Sequence, residues 1–238
     1  MTHTSHNDSP GIREIVLVMG MTGWGKSWWT KLYSQTYNRK LVYDPSISFP
    51  VDNLVIHKRE GGLTEPEYVG TMDQIVDDVL SEETKAFNLG FENPDDIPAA
   101  AGALFVKGNN ILILEELATV FEKGQARLPE WGKRHVFYGR HASCGMVLIA
   151  QRPTYIPIDF RSQANRVITF CQHEGADMDW LQDFYGKERM KRLAEIPKFT
   201  CFDYHNGVVK EYSIIEKVKH VFGVKLDISI QSHLDLVL

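Results

Sequence analysis

The chain has 238 residues, 43% of them hydrophobic and 24% charged, with a formal net charge of −5. These values fit one large globular domain, exclude a disordered or fibrous chain, and exclude a global basic field, so any contact with nucleic acid must be local. Cys144, Cys171 and Cys201 are odd in number and widely spaced, which speaks for reduced thiols in a cytosol-like compartment rather than a disulfide framework.

Residues 1–12 are short of apolar anchors and are expected to form a flexible lead-in. A single domain is expected over residues 13–217, with a tail over 218–238 packing on the core. Residues 13–19 read as a strand too apolar for a one-sided sheet. Gly20-Met21-Thr22-Gly23-Trp24-Gly25-Lys26-Ser27 follows at the spacing G-x-x-x-x-G-K-[ST], which is the phosphate-binding loop pattern. The glycines let the backbone curl and turn its N–H groups inward around phosphate oxygens. Lys26 can reach the β- and γ-phosphates and the Ser27 hydroxyl can ligate Mg²⁺, so ATP and Mg²⁺ are the expected ligands. The next helix carries Trp28, Trp29, Leu32 and Tyr33 on a face towards the sheet. Core packing is the first role for the two tryptophans, and base stacking the alternative.

Residues 41–43 form the next strand, and Asp44-Pro45 ends it. Asp44 either lies beside the nucleotide or opens a turn. Residues 54–57 suggest a short strand closed by Gly61-Gly62. Thr71 and Gln74 have capping-box spacing, opening a helix with Met72, Ile75, Val76, Val79 and Leu80 as its buried stripe. Residues 88–98 read as a loop and 99–106 as a short helix. Residues 111–114 are a second buried strand, ending in Glu115-Glu116. A helix over 117–123, a polar stretch over 124–129 and a longer helix with Trp131, His135, Val136 and Tyr138 are expected next. Residues 146–150 make a strand ending in Gln151-Arg152-Pro153, and 166–170 another. Residues 178–193 are helical by pattern. Residues 199–203 and 208–215 read as a C-terminal β-hairpin around Asn206-Gly207. Strands alternating with helices make an α/β domain with a mainly parallel sheet flanked by helices.

The acidic pair narrows the chemistry. One carboxylate at a strand end can hold the Mg²⁺ shell, and the next can polarise an attacking water. Glu115 suits the first task and Glu116 the second. The usual first residue is Asp, so Glu115 is a departure. Gln151, ending another strand, offers a neutral amide to sense the γ-phosphate and orient water.

Residues 20–27, the strand with Glu115-Glu116, and the block from Gly139 through Arg140-His141 to Gln151-Arg152-Pro153 resemble the FtsK–HerA superfamily of P-loop ATPases. Arg161-Ser162-Gln163-Ala164-Asn165-Arg166 is similar to the segment before the last core strand in HerA-type proteins. Together these blocks span about residues 13–171. The resemblance implies a RecA-like, additional-strand P-loop NTPase core, a homo-oligomeric ring (usually a hexamer), and ATP hydrolysis coupled to movement of double-stranded DNA. It also implies an arginine that completes a neighbouring subunit's site. Arg140, Arg152, Arg161 and Arg166 are candidates, and the match favours Arg161 and Arg166. A bare motor of this size looks most like the genome-packaging ATPases of tailless, membrane-containing viruses. That implies docking on a capsid vertex or on membrane-associated packaging proteins, in the host cytoplasm or the virion. The residues after the second strand, from Asp44 to Ser48, depart from the HerA pattern.

Two basic clusters offer DNA contacts: Lys123, Arg127, Lys133 and Arg134, and Lys187, Arg189, Lys191 and Arg192. Each is equally readable as a solvated helix face. Two other functions stay open. One is a Zot-like ATPase for filamentous phage extrusion; the other is a P-loop kinase or switch that binds no DNA.

Overall fold

A computed structural model describes residues 14–49, 51, 53–55, 71–122 and 127–222. The expected lead-in over 1–12, the Gly61-Gly62 turn, Lys123 and residues 223–238 of the tail lie outside the described residues. The strands are β1 (Ile15–Met19), β2 (Arg39–Tyr43), β3 (Asn53–Val55), β4 (Phe87–Phe91), β5 (Asn110–Leu114), β6 (Cys144–Ala150), β7 (Arg166–Thr169), β8 (Thr200–His205) and β9 (Val208–Ser213). They form one sheet in the order β3-β4-β2-β5-β6-β1-β7-β8-β9. β1 to β7 run parallel, and β8 and β9 add an antiparallel hairpin. The expected α/β, additional-strand architecture is what forms. β6 is inserted between the phosphate-loop strand β1 and the acidic strand β5.

Every residue of β1, β5 and β6 is buried, as a parallel sheet covered on both faces requires. Alternate residues serve opposite layers. Leu17, Met19, Leu112, Leu114, Met146 and Leu148 join one core. It is completed from α2 (Met72–Leu80), α3 (Ile97–Lys107), α5 (Ile158–Gln163), α6 (Gly175–Tyr185) and α7 (Lys187–Leu193). Val16, Val18, Ile111, Ile113, Val147 and Ile149 join the other, under α1 (Lys26–Ser34) and α8 (Ile215–Phe222). Trp29 is buried there with its indole N–H on the Tyr212 hydroxyl at 2.9 Å, and Trp28 packs on Phe222, so both tryptophans serve the core. α8 spans the expected boundary at residues 217/218, with Val218 fully buried.

Local chemistry sets most of the ends. Thr71 and Gln74 form the expected capping box. Asn206 and Gly207, at φ 49° and 83°, give the hairpin the two left-handed residues that a tight turn between twisted strands needs.

Several expectations are corrected. Residues 87–91, assigned partly to a loop, are strand β4. Phe87, Leu89 and Phe91 alternate into the core, and Asn88 and Gly90 lie on the other face. α3 begins at Ile97, two residues earlier than expected, with Pro98 in its first turn. The helix expected over 117–123 is a single turn, Leu117–Thr119. There the Thr119 hydroxyl turns back to Glu116 O and the Tyr43 hydroxyl instead of letting the helix extend. The longer helix is α4 (Glu130–Lys133), which continues through a π-turn at Arg134–Tyr138. α5 was not foreseen. Gly186, at φ 75°, splits the expected 178–193 helix into α6 and α7. On α2, Met72, Ile75 and Val79 are buried, whereas Leu80 is 40% exposed.

Candidate active site

The ladders align four strand ends. Met19 lies beside Ala150 and Thr169, and Leu114 beside Leu148 and Tyr43. The residues that follow, Gly20, Gln151, Glu115 and Asp44, therefore share one edge of the sheet, where open α/β sheets bind ligands. Gly20 has φ 139°, and a Cβ there would stand 2.6 Å from the Phe170 Cβ. Gly25, at φ 115°, precedes α1, and a Cβ on it would stand 3.1 Å from both the Phe170 and Phe199 rings. A Gly20→Ala variant is therefore expected to retain its fold and lose Mg·ATP binding by more than tenfold, read by calorimetry beside a thermal melt. Unchanged binding would show that the loop does not need this close approach.

Lys26 is buried, and its ammonium donates to Gly20 O at 2.7 Å and Met21 O at 3.0 Å. Burial lowers its pKa, against the attraction of Glu116 and then Glu115. The Ser27 hydroxyl lies close enough to the Glu115 carboxylate to favour its charged form, so the two expected metal ligands are neighbours. Burial pushes the Glu115 pKa up to about 7, opposed by Ser27 and reinforced by Asp44. The Glu115 Oε1 is buried without a hydrogen-bond partner. An orphaned carboxylate oxygen beside a hydroxyl is the oxygen donor set that Mg²⁺ accepts, so Ser27 and Glu115 fit the metal. Asp44 lies close enough to act on Glu115, yet its carboxylate accepts from the N–H groups of Ser46, Ser48 and Phe49 at 2.9, 2.6 and 2.7 Å. Its turn role and its place beside the site are both realised.

Glu116 adopts a left-handed backbone (φ 54°, ψ 67°), rare for a side chain of this kind and costing about 1–3 kcal/mol. That conformation turns the chain sharply after β5. The Glu116 carboxylate accepts from the Gln151 amide at 3.2 Å, so the expected base and sensor meet directly across β5 and β6. Sequence reasoning missed the groups behind Gln151. Gln172, 2% exposed just after β7, donates its amide to Gln151 O at 2.6 Å. Arg152 is anchored by Asp177 at 2.9 Å, with Glu174 at 3.6 Å. A buried Gln or Asp after an apolar strand is the one signal that marks them, and it does not reveal the partner.

Solved structures that share this arrangement of chain include the following three. The genome-packaging NTPase B204 of Sulfolobus turreted icosahedral virus 2, in complex with AMPPCP, matches with a TM-score of 0.63 and 16% identity, over 85% of this chain and 98% of that one. The DNA-packaging ATPase B204 of Sulfolobus turreted icosahedral virus matches at 0.58 and 18% identity, over 84% and 97% of the two chains. VirB4 of Thermoanaerobacter pseudethanolicus matches at 0.56 and 8% identity, over 87% and 91%. The chain shares the fold of these structures. No family profile and no curated protein sequence matches it.

Within this fold the candidate arginines separate. Arg166 starts β7 opposite Val16, about 10 Å along the strand from the phosphate-loop edge. Its guanidinium holds Asp203 with two hydrogen bonds of 3.1 and 2.7 Å, lies 3.7 Å from Glu14, and covers the Trp29 and Tyr33 rings. Arg166 thus lies away from the phosphate loop of its own chain, and its partners join α1 to β7 and β8. Arg152 is held by Asp177. Arg161 lies over the Trp180 ring at 5.6 Å, with its Nε buried and without a hydrogen-bond partner. Arg140 is exposed. In the basic clusters, Lys133 faces Glu130, Arg134 covers Phe105, Lys191 faces Glu188 and Arg192 faces Glu211, while Arg127 and Lys187 are exposed. Among the described residues, no helix is long and apolar enough to cross a membrane.

Proposed function

We propose that this chain is an ATP-hydrolysing motor that translocates double-stranded DNA and packages a viral genome into a preformed capsid, working as a homo-oligomeric ring, a hexamer. The observation that carries this reading is the convergence of Lys26, Ser27, Glu115, Glu116 and Gln151 on one edge of three adjacent strands. They stand in a fold that covers 98% of a genome-packaging NTPase. The docking partners of this reading are a capsid vertex or membrane-associated packaging proteins, in the host cytoplasm or the virion.

The loop from Gly20 to Ser27 cradles the triphosphate with inward N–H groups and the positive end of α1. Lys26 exchanges the Gly20 and Met21 carbonyls for β- and γ-phosphate oxygens. Ser27 and Glu115 would hold Mg²⁺, and the ion would supply charge neutralisation at the phosphates. Glu116 accepts the proton of the water that attacks the γ-phosphorus, and the products are ADP and inorganic phosphate. The Gln151 amide moves from Glu116 to the γ-phosphate or the water, which makes the base available only when the triphosphate is in place. Arg161 is the arginine assigned to the neighbouring subunit's site, because Arg152 and Arg166 are held by carboxylates of their own chain. The two basic clusters, around Arg127 and around Lys187, supply the DNA contacts, which are sequence-independent and weaken with salt.

The test is steady-state phosphate release at low and high salt, with and without linear double-stranded DNA. Stimulation that fades as salt rises is expected, together with a specific activity that increases with protein concentration as rings form. ATP hydrolysis indifferent to DNA at low salt would sink the translocase reading and leave an NTPase of another purpose.

A further inference from the structure

The phosphate machinery leaves the nucleoside end of the site without a partner, and the sheet order fixes the side on which it lies. β5 and β6, which carry Glu115, Glu116 and Gln151, stand on one side of β1; β7 and β8 stand on the other. The carboxylates and the sensor gather where the γ-phosphate is cleaved. The nucleoside of a bound triphosphate therefore extends towards β7 and β8.

On that flank the turn Pro197-Lys198-Phe199 comes down onto the phosphate loop as it enters β8. The Phe199 N–H donates to Trp24 O at 3.0 Å, and Ile214 N–H donates to Phe199 O at 2.8 Å. The Phe199 ring borders Gly25, at 3.1 Å from the position a Cβ would take there. The side chain is half-buried, and Pro197 and Lys198 beside it are exposed. Its backbone has φ 63°, a conformation that bulky side chains rarely take. Strained positions of this kind gather at ligand clamps, where the surrounding bonds over-determine them. A leucine or valine would close the same apolar contact, whereas a half-open aromatic face next to the loop also offers a π-surface to a base.

We propose that Phe199 is the platform on which the base of the bound nucleoside triphosphate stacks. This rests on the reading of residues 20–27 as a nucleotide site and extends it to the end of the ligand that the phosphate loop does not reach. Base–aromatic stacking tolerates any base, so Phe199 supplies affinity for the nucleoside rather than choice among nucleosides.

Calorimetric titration of the full chain with Mg·ATP and, separately, with Mg·tripolyphosphate tests the assignment. Phe199→Leu keeps an apolar contact on Gly25 but has no π-face. Phe199→Gly removes the ring and accepts the left-handed backbone. Phe199→Tyr keeps the ring. The Leu and Gly variants are expected to lose about tenfold in ATP affinity and nothing in tripolyphosphate affinity, with the Tyr variant matching the wild type on both. Should the Gly variant fail to fold, the Leu and Tyr variants carry the same comparison. Equal losses on both ligands would mean that the ring only supports the loop, and unchanged ATP affinity in the Leu variant would mean that no base rests on it; either result overturns the proposal. A wild-type protein that binds neither ligand would remove the nucleotide site itself, a failure distinct from these two.

Discussion

Replacing Glu116 with Gln is expected to leave Mg·ATP binding within about threefold of the wild type and to slow hydrolysis by about 10²–10⁴-fold, the usual contribution of a positioned general base. The isosteric amide keeps the size of the side chain and the left-handed turn after β5, so the comparison isolates proton acceptance. Nucleotide titration with phosphate release measured on the same preparation decides it. Hydrolysis at the wild-type rate would remove Glu116 from the chemistry. A useful companion is Gln151→Ala, which frees the Glu116 oxygen held at 3.2 Å. If the amide both restrains the base and orients water, this variant hydrolyses ATP more slowly despite carrying an unrestrained Glu116.

The second large effect is on stability and depends on pH. The Glu115 pKa is raised from the ordinary 4.5 to about 7, first of all because the group is buried. A carboxyl raised on folding holds its proton more tightly in the folded chain. Its contribution is therefore fully present below pH 4.5 and is lost as pH rises through 7. The shift corresponds to about 3 kcal/mol, so metal-free Glu115→Gln is expected to melt about 6–12 °C above the wild type at pH 8 and level with it at pH 4.5. Added Mg²⁺ should narrow the gap at pH 8 by stabilising the wild type alone, since the ion requires the ionised carboxylate. A gap of equal size at both pH values would mean that ionisation of Glu115 is not what costs stability.

The placement of residues 20–27, Glu115-Glu116 and Gln151 at strand ends was legible because each is a local pattern: an apolar strand followed at once by glycines or polar side chains. The strands around them were legible for the same reason, with four or five consecutive apolar residues and turn-formers on either side. β4 was not, because Phe87-Asn88-Leu89-Gly90-Phe91 alternates within a stretch rich in residues that also favour loops, and its partners β2 and β3 are distant in sequence. The single turn at Leu117–Thr119 was read as a longer helix because the Thr119–Tyr43 hydroxyl contact, 2.7 Å across the sheet, leaves no trace in helical periodicity. Arg166 illustrates the same limit at the candidate site. The resemblance offers it as an arginine for a neighbouring subunit's site, and nothing local marks Asp203 and Glu14, which hold it from 37 residues ahead and well over a hundred behind. Gln172, Asp177 and Phe199 act through contacts with residues 21, 25 and about 175 positions away respectively, so only the folded chain brings them to the site.

β6 is paired with β1 over Met146–Ala150 and with β5 over Cys144–Leu148, so the two ladders together cover the whole strand. Sliding Gln151 along the strand would break two ladders at once, and Gln172 and Asp177 hold the chain just beyond it. The sensor therefore has only its own torsions left to move. Gln151 is exposed, and rotamer changes at exposed positions take place within about picoseconds to nanoseconds, far faster than turnover. If Gln151 senses the γ-phosphate as proposed, that recognition is a pre-equilibrium, settled before any slower step of turnover begins.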